Sequence, residues 1–416
     1  MMRQPLLRIL CLILVCNAVW AENLSLDDRL VEAAKTHSYT ISFENGKFSG
    51  SGWDFLINAG MSSQFFLLGE EHGIAENPKL ASALFKALVS SGYKFFAVET
   101  SPQMAEAMEK AAKNGIDGLK QLFKDGQSKV AFFGMREEAQ MIVDIAQTLT
   151  GAKGYLWGLD YEVLADRHLI STLESKNKNK LAKLKLKELR KASNESWSKY
   201  HESKNPGYIF SFSGDPELIK SLRKTWKNAD DEAQGIMNTL EKTLNINQLY
   251  IQGKAWDSNK LRADLIKQNF INYWNFKEKN TKVFFKMGAS HLIRGRSHTE
   301  VYDIGNLIPE LAILNGNKSF NVMILQGNGS STAVFDPTEL KYIKGPPKDK
   351  YSDGLKVLTE QVSQGSFTLI DLRPLRAIMS WNNTENVKLN QVIHGYDALL
   401  VMTDSTASSD LFESTK

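Results

Sequence analysis

The stretch Phe65-Phe66-Leu67-Leu68-Gly69-Glu70-Glu71-His72-Gly73 constrains this chain more than any other. A wholly apolar run stops at a glycine and then releases two carboxylates and an imidazole. Its length and aromatic content are those of a buried parallel strand, although periodicity alone also admits a buried helix segment. Ligands and catalytic groups in open α/β sheets collect beyond the carboxyl ends of such strands. The plain alternative is a solvated turn after a strand.

The same pattern recurs along the chain. Pro78 opens a helix with Leu80, Leu84, Leu88 and Val89 at helical spacing, and Gly92 closes it. Lys94-Phe95-Phe96-Ala97-Val98-Glu99 follows as a second apolar strand ending in a carboxylate, which completes a βαβ unit. Residues 102–150 read as helices. Gly154 to Leu159 is a third strand, running into Asp160-Tyr161-Glu162, and Lys282 to Gly288 is a fourth, running into Ala289-Ser290-His291. Phe320 to Leu325, Phe367 to Leu372 and Ala398 to Met402 are later strands, and Gly345-Pro346-Pro347 marks a loop. Upstream, Leu24 to Asp28 looks like a helix start and Tyr39 to Phe43 like an edge strand. The expected fold is α/β, a mainly parallel central sheet flanked by helices, with a helical insertion.

Residues 1–21 read as a signal peptide. Arg3 and Arg8 precede an apolar run from Ile9 to Trp20 that is short for a bilayer span, and Ala21 precedes the expected cleavage point. Val15 before Cys16 argues against lipoprotein processing. Both cysteines, Cys11 and Cys16, fall in that segment, so the mature chain is expected to lack disulfides and thiolate nucleophiles. Periplasmic or secreted localisation follows, with no stable membrane insertion after cleavage. Removing two of 51 basic residues leaves 49 against 47 acids, a balance that implies no nucleic acid or other polyanion as partner.

The expected organisation is an α/β core in two parts, 22–164 and 281–416, around a helical insertion at 165–280. Lys176 to Lys191 carries eight basic residues and one acid with Leu181, Leu184, Leu186 and Leu189 interleaved, which reads as a solvated helix face.

Glu70, Glu71, His72, Glu99, Asp160 and His291 thus leave four strand ends, which a parallel sheet would bring to roughly 5 Å spacing. Imidazoles beside carboxylates can do general acid/base chemistry near neutral pH, or can ligate a metal through nitrogen and oxygen. No Gly-x-Ser-x-Gly elbow, phosphate-binding Gly-x-x-x-x-Gly-Lys loop or Gly-x-Gly-x-x-Gly fingerprint accompanies a strand–helix junction.

Leu68-Gly69-Glu70-Glu71-His72-Gly73 resembles the Gly-Glu-x-x-His-Gly signature of the erythromycin esterase family, shortened by one residue. Ala97-Val98-Glu99 is similar to that family's next strand end. Arg262 and Asn269 resemble its Arg-x-x-x-Met-x-x-Asn helix, with Ile266 in the methionine's place. Val283 to His291 resembles the strand that delivers its second histidine, and Tyr396 to Val401 its last core strand. The resemblance spans residues 60–403 and implies an α/β hydrolase of esters or lactones with a small-molecule substrate. It implies His72 as the general base, Glu70 or Glu71 as its partner, Glu99 and His291 completing the site, and Arg262 holding substrate or the oxyanion. Asp160 joins the substrate-binding set. No cofactor is required on that reading. Gly288 stands where the family has a further histidine, and its arginine in the helix after His72 is missing. The superfamily also holds haem-binding lipoproteins and metal-dependent proteases, and Met287 to Leu292 resembles the protease turn. The alternative is therefore a haem- or metal-binding protein, or a peptidase, using a divalent metal or haem in the same crevice.

Overall fold

The structure, a computed structural model, describes residues 24–346, 352–360, 362, 365–380 and 385–413. Segment 1–21 with Cys11 and Cys16, and part of the 345–347 loop, lie outside the described residues.

The strands are β1 (Ser38–Glu44), β2 (Lys47–Ser49), β3 (Phe65–Glu70), β4 (Tyr93–Val98), β5 (Leu156–Gly158), β6 (Lys282–Gly288), β7 (Ser319–Gln326), β8 (Thr332–Asp336), β9 (Lys341–Gly345), β10 (Phe367–Asp371) and β11 (Ala398–Met402). Nine form one sheet in the order β2-β1-β10-β11-β7-β3-β6-β4-β5, while β8 and β9 pair as a separate hairpin. The run from β11 to β5 is parallel throughout, and β10, β1 and β2 extend it antiparallel. The fold is α/β, as expected.

Two expectations shift locally. The strand at Tyr39–Phe43 is not the outermost one, because Asn45 and Gly46 both adopt positive φ and turn the chain back as β2. The third strand begins at Leu156 rather than Gly154. The carboxylate of Glu109 accepts from the N–H groups of Gly154, Tyr155 and Leu156 at 2.8, 3.0 and 3.1 Å, capping that edge.

Every residue of β3 is buried, which explains why it is apolar without alternation. On one face Phe284 stacks between Phe66 and Phe96, ring centroids 5.1 Å away on each side, beneath helices Glu76–Leu88 and Arg136–Thr148. On the other, Phe65, Phe285 and Trp157 pack against Ile266 and Phe270 of helix Ala255–Trp274. That helix lies within the 165–280 stretch. The preceding helices, Asp166–Ser175, Lys180–Ser203, Pro216–Thr225 and Asp231–Ile251, pack mainly on one another. In the basic run Leu186 and Leu189 are buried while Leu181 and Leu184 are about half exposed. Its cations pair with Asp230, Glu232, Glu174 and Glu188 at the surface. Among the described residues no helix is long and apolar enough to cross a membrane.

Candidate active site

The register β3–β6–β4 sets the site. Leu68 lies opposite Lys286, and Glu70 opposite Gly288. Leu68 and Glu70, two apart, therefore project to the face that carries Phe66 and Lys286. His72 leaves the turn and points back, so its Nδ1 meets Glu70 Oε1 at 3.0 Å. Glu70 is the partner of His72. Glu71 also lines the pocket, and its backbone carbonyl accepts from Asn77 Nδ2 at 2.8 Å. Gly73 then takes φ +96°, and a Cβ there would lie 2.2 Å from the carbonyl oxygen of Ala333. The glycine lets the β8–β9 hairpin approach the turn, where Ala333 N donates to Gly73 O at 2.9 Å.

Glu99, one residue past β4, gathers the remaining groups. Its Oε2 accepts from Gly288 N–H at 2.7 Å and faces His72 Nε2 at 3.4 Å. Its Oε1 accepts from Arg262 Nη2 at 2.8 Å and faces His291 Nε2 at 3.4 Å. Arg262 also grips Asp160, through Nε to Oδ1 at 3.0 Å and Nη2 to Oδ2 at 2.5 Å, and lies over the ring of Tyr161. Asn269, two turns further along the helix, donates to the carbonyl of Leu159 at 2.9 Å and fixes the helix to the end of β5. Glu70, Glu71, His72, Glu99, Asp160, Arg262 and His291 thus line one cavity of about 470 Å³.

Six contributors escape the sequence pattern. Asp303 holds His291 Nδ1 at 2.7 Å. Lys286, in the middle of β6, places Nζ 2.5 Å from Glu70 Oε1 and 2.7 Å from Glu138 Oε1. Phe132 stacks on the His72 ring with centroids 3.7 Å apart, holding φ +67°, a left-handed conformation that is costly for a residue with a Cβ. Its N–H donates to the hydroxyl of Tyr342 on β9 at 2.6 Å. His298 lines the same cavity. Lys286 carried a usable signal, since a charge inside an apolar strand requires a buried partner.

Burial opposes a charged His72, but Glu99 and Glu70 on either side outweigh it and push its pKa up to about 9. For His291 burial again opposes the charge; Asp303 and Glu99 overcome both it and Arg262, raising the pKa to about 10. Burial works against ionised Glu70 and Glu99 too. Lys286 and His72 nevertheless hold Glu70 below its ordinary value, and His291 and His72 hold Glu99 well below. Both imidazole shifts favour the protonated rings at neutral pH. Burial raises Glu138 to about 7 against the pull of Lys286.

Glu99, Asp160 and His291 offer ligand atoms within 4.8 Å of one another, a plausible donor set for a divalent ion. Arg262 already fills that role: its Nη2 donates to Glu99 and Asp160 together. A metal would have to expel a clamped guanidinium, so these residues do not fit a resident ion.

The chain has an erythromycin-esterase-like fold. A mutant of erythromycin esterase EreC in its open conformation superposes with a TM-score of 0.60 at 13% identity, covering 91% of this chain and 100% of that one. A succinoglycan biosynthesis protein gives 0.59 at 14% identity over 93% and 99% of the two chains. A Bacillus cereus protein gives 0.58 at 14% over 92% and 99%. At such identities the likeness establishes the fold alone. No family model and no curated protein sequence matches the chain.

Proposed function

We propose that this protein is a hydrolase in which His72 activates water against an ester or lactone carbonyl. The observation that carries this reading is the pose of His72. Nδ1 is committed to Glu70, which leaves Nε2 turned toward Glu99 and the cavity. In the neutral ring the proton stays on Nδ1, so the Nε2 lone pair is the one that meets a water. Nε2 and Glu99 Oε2 face each other at 3.4 Å, and water or substrate approaches Nε2 from the cavity side of that contact. Gly288 keeps it open, since a Cβ at that position would sit 3.1 Å from both His72 Nε2 and Glu99 Oε2. His291, protonated and held by Asp303, turns Nε2–H inward as a donor for the oxyanion of a tetrahedral intermediate. Arg262 braces Glu99 and Asp160 and holds both carboxylates in place at the cavity floor. On collapse, the proton taken by His72 passes to the leaving alkoxide.

A resting pKa of about 9 leaves roughly 1% of His72 neutral at pH 7. Activity is therefore expected to climb with pH until about 9. The cavity's other wall, with Val130, Val334 and Phe335, suits an apolar portion of a small-molecule substrate. The signal-like residues 1–21 support action in the periplasm or outside the cell.

The test is hydrolysis of a panel of activated esters and macrolactones by residues 22–416, with and without chelator. His72→Ala should cost roughly 10²- to 10⁴-fold in kcat while leaving the melting curve intact. Chelator should have no effect. Turnover that survives His72→Ala would contradict the proposal, and turnover abolished by chelator would favour the metal-dependent alternative.

A further inference from the structure

One buried cluster takes no direct part in the chemistry above. Lys286 is only 4% exposed and Glu138 1%, and no ordinary need of the fold puts an ammonium inside the β-sheet core. On that face of β6 the residue two positions earlier, Phe284, belongs to the aromatic stack. Continuing the apolar pattern at 286 would be the less costly choice. Instead Nζ lies 2.5 Å from Glu70 Oε1 and 2.7 and 2.9 Å from the two oxygens of Glu138. Glu70 Oε1 is the same oxygen that meets His72 Nδ1, so ammonium and imidazole share one acceptor atom. The other oxygen, Oε2, is buried with no hydrogen-bond partner among the described residues. All of Glu70's anchoring is thus concentrated on the atom that orients His72.

We propose that the buried Lys286–Glu138 pair is the positioning device of the His72 site. Its ammonium pins Glu70 in the rotamer that holds Nδ1, and the balance of its two charges sets how readily His72 releases its proton. This rests on His72 as the proton acceptor of the hydrolysis. Lys286 is a positioning residue, acting only through Glu70.

The electrostatics work in opposite directions. Lys286 places a like charge across one oxygen from the imidazolium, which favours proton release. Glu138 offsets that charge when ionised and so favours retention. The groups packed around this row are Glu70 at the end of β3, His72 after it, Glu99 after β4, His291 after β6, Arg262 from its helix, and Tyr342 on β9, which feels Glu138. Glu99 is the strongest opposing influence, because it binds the other imidazole nitrogen whatever Lys286 does. The pair therefore adjusts the His72 midpoint without reversing its charge at rest.

The deciding experiment is histidine NMR titration of the 22–416 chain, with the His72 resonance assigned by its loss in His72→Gln. Glu138→Gln keeps an oxygen that can accept from Lys286 but deletes the offsetting charge, and should lower the His72 midpoint by about one pH unit. Lys286→Met deletes the ammonium and should raise it. The double variant Lys286→Met/Glu138→Gln buries no unpaired charge, and should return the midpoint toward that of the unaltered chain. Where Lys286→Met alone does not fold, Glu138→Gln and the double variant carry the test. Midpoints that stay put, or that move in the same direction in the two single variants, would overturn the proposal. With any ester that is turned over, the ascending limb of kcat/KM should move with the NMR midpoint. Lys286→Met should then lower kcat on the order of tenfold to a hundredfold with KM nearly unchanged. Shifted midpoints in a chain that hydrolyses nothing would leave the positioning role standing and refute the hydrolase. Hydrolysis with unshifted midpoints would do the reverse.

Discussion

Glu99→Gln is the most informative single substitution in this site. The side chain is isosteric, but one of its two accepting oxygens becomes an NH₂ that cannot accept. Glu99 receives Arg262 Nη2 and Gly288 N–H at 2.8 and 2.7 Å and faces both imidazoles at 3.4 Å. At least one donor is left facing a donor, and three cationic groups lose their shared counter-charge. Breaking a buried pair of this kind costs about 3–5 kcal/mol. The pH dependence is the sharper signature. His72 moves from 6.5 when unfolded to about 9 when folded, worth about 3 kcal/mol. Because that pKa is raised, the stabilisation is complete below 6.5 and is lost as pH rises through 9. His291 follows at about 10. In Glu99→Gln the largest attraction holding the His72 proton is gone, so this variant has less of such stability to lose. Urea unfolding of both proteins from about pH 6 to about pH 10 should show a stability gap widest at the acid end. It should narrow by roughly 2–3 kcal/mol by the alkaline end. A gap independent of pH, or one that widens as pH rises, would refute the reasoning.

Two further substitutions probe separate contacts. Gly288→Ala puts a methyl 3.1 Å from His72 Nε2 and Glu99 Oε2, where the attacking water is placed. It should reduce kcat at least tenfold while shifting stability by no more than about 1 kcal/mol, read from kinetics and thermal melts on one preparation. Trp197→Phe removes the indole N–H that donates to Asp166 at 3.0 Å inside the helical insertion. Burial raises Asp166 to about 6 despite its bonds from Ser193 and Trp197, so the lost bond matters most when the carboxylate is ionised. The expected cost is about 1–3 kcal/mol above pH 6, shrinking as pH falls below it, measured by unfolding at two pH values.

The architecture was legible because parallel strands buried on both faces announce themselves as short apolar runs, and β3, β4 and β6 do so plainly. Their final residues could be grouped into one site because strand ends in such a sheet face a common crevice. Pairings between those residues were not legible. The choice between Glu70 and Glu71 depends on the β3–β6 register, which puts Glu70 on the face of Leu68 and Lys286. The Lys286–Glu138 and His291–Asp303 pairs join segments whose contact is decided by packing, not by local spacing. The β8–β9 hairpin was passed over because its strands are only partly buried and lack the apolar signature of the core. With it went Phe132, whose left-handed backbone is held by Tyr342 across the cavity wall.

Water as the nucleophile is the central claim, and single turnover in ¹⁸O-labelled water tests it most directly. With a substrate from the ester panel, the label is expected in the acid product and not in the alcohol, and the protein mass should stay unchanged throughout. Label in the alcohol, or a protein mass increased by an acyl group during turnover, would contradict a His72-activated water at the carbonyl.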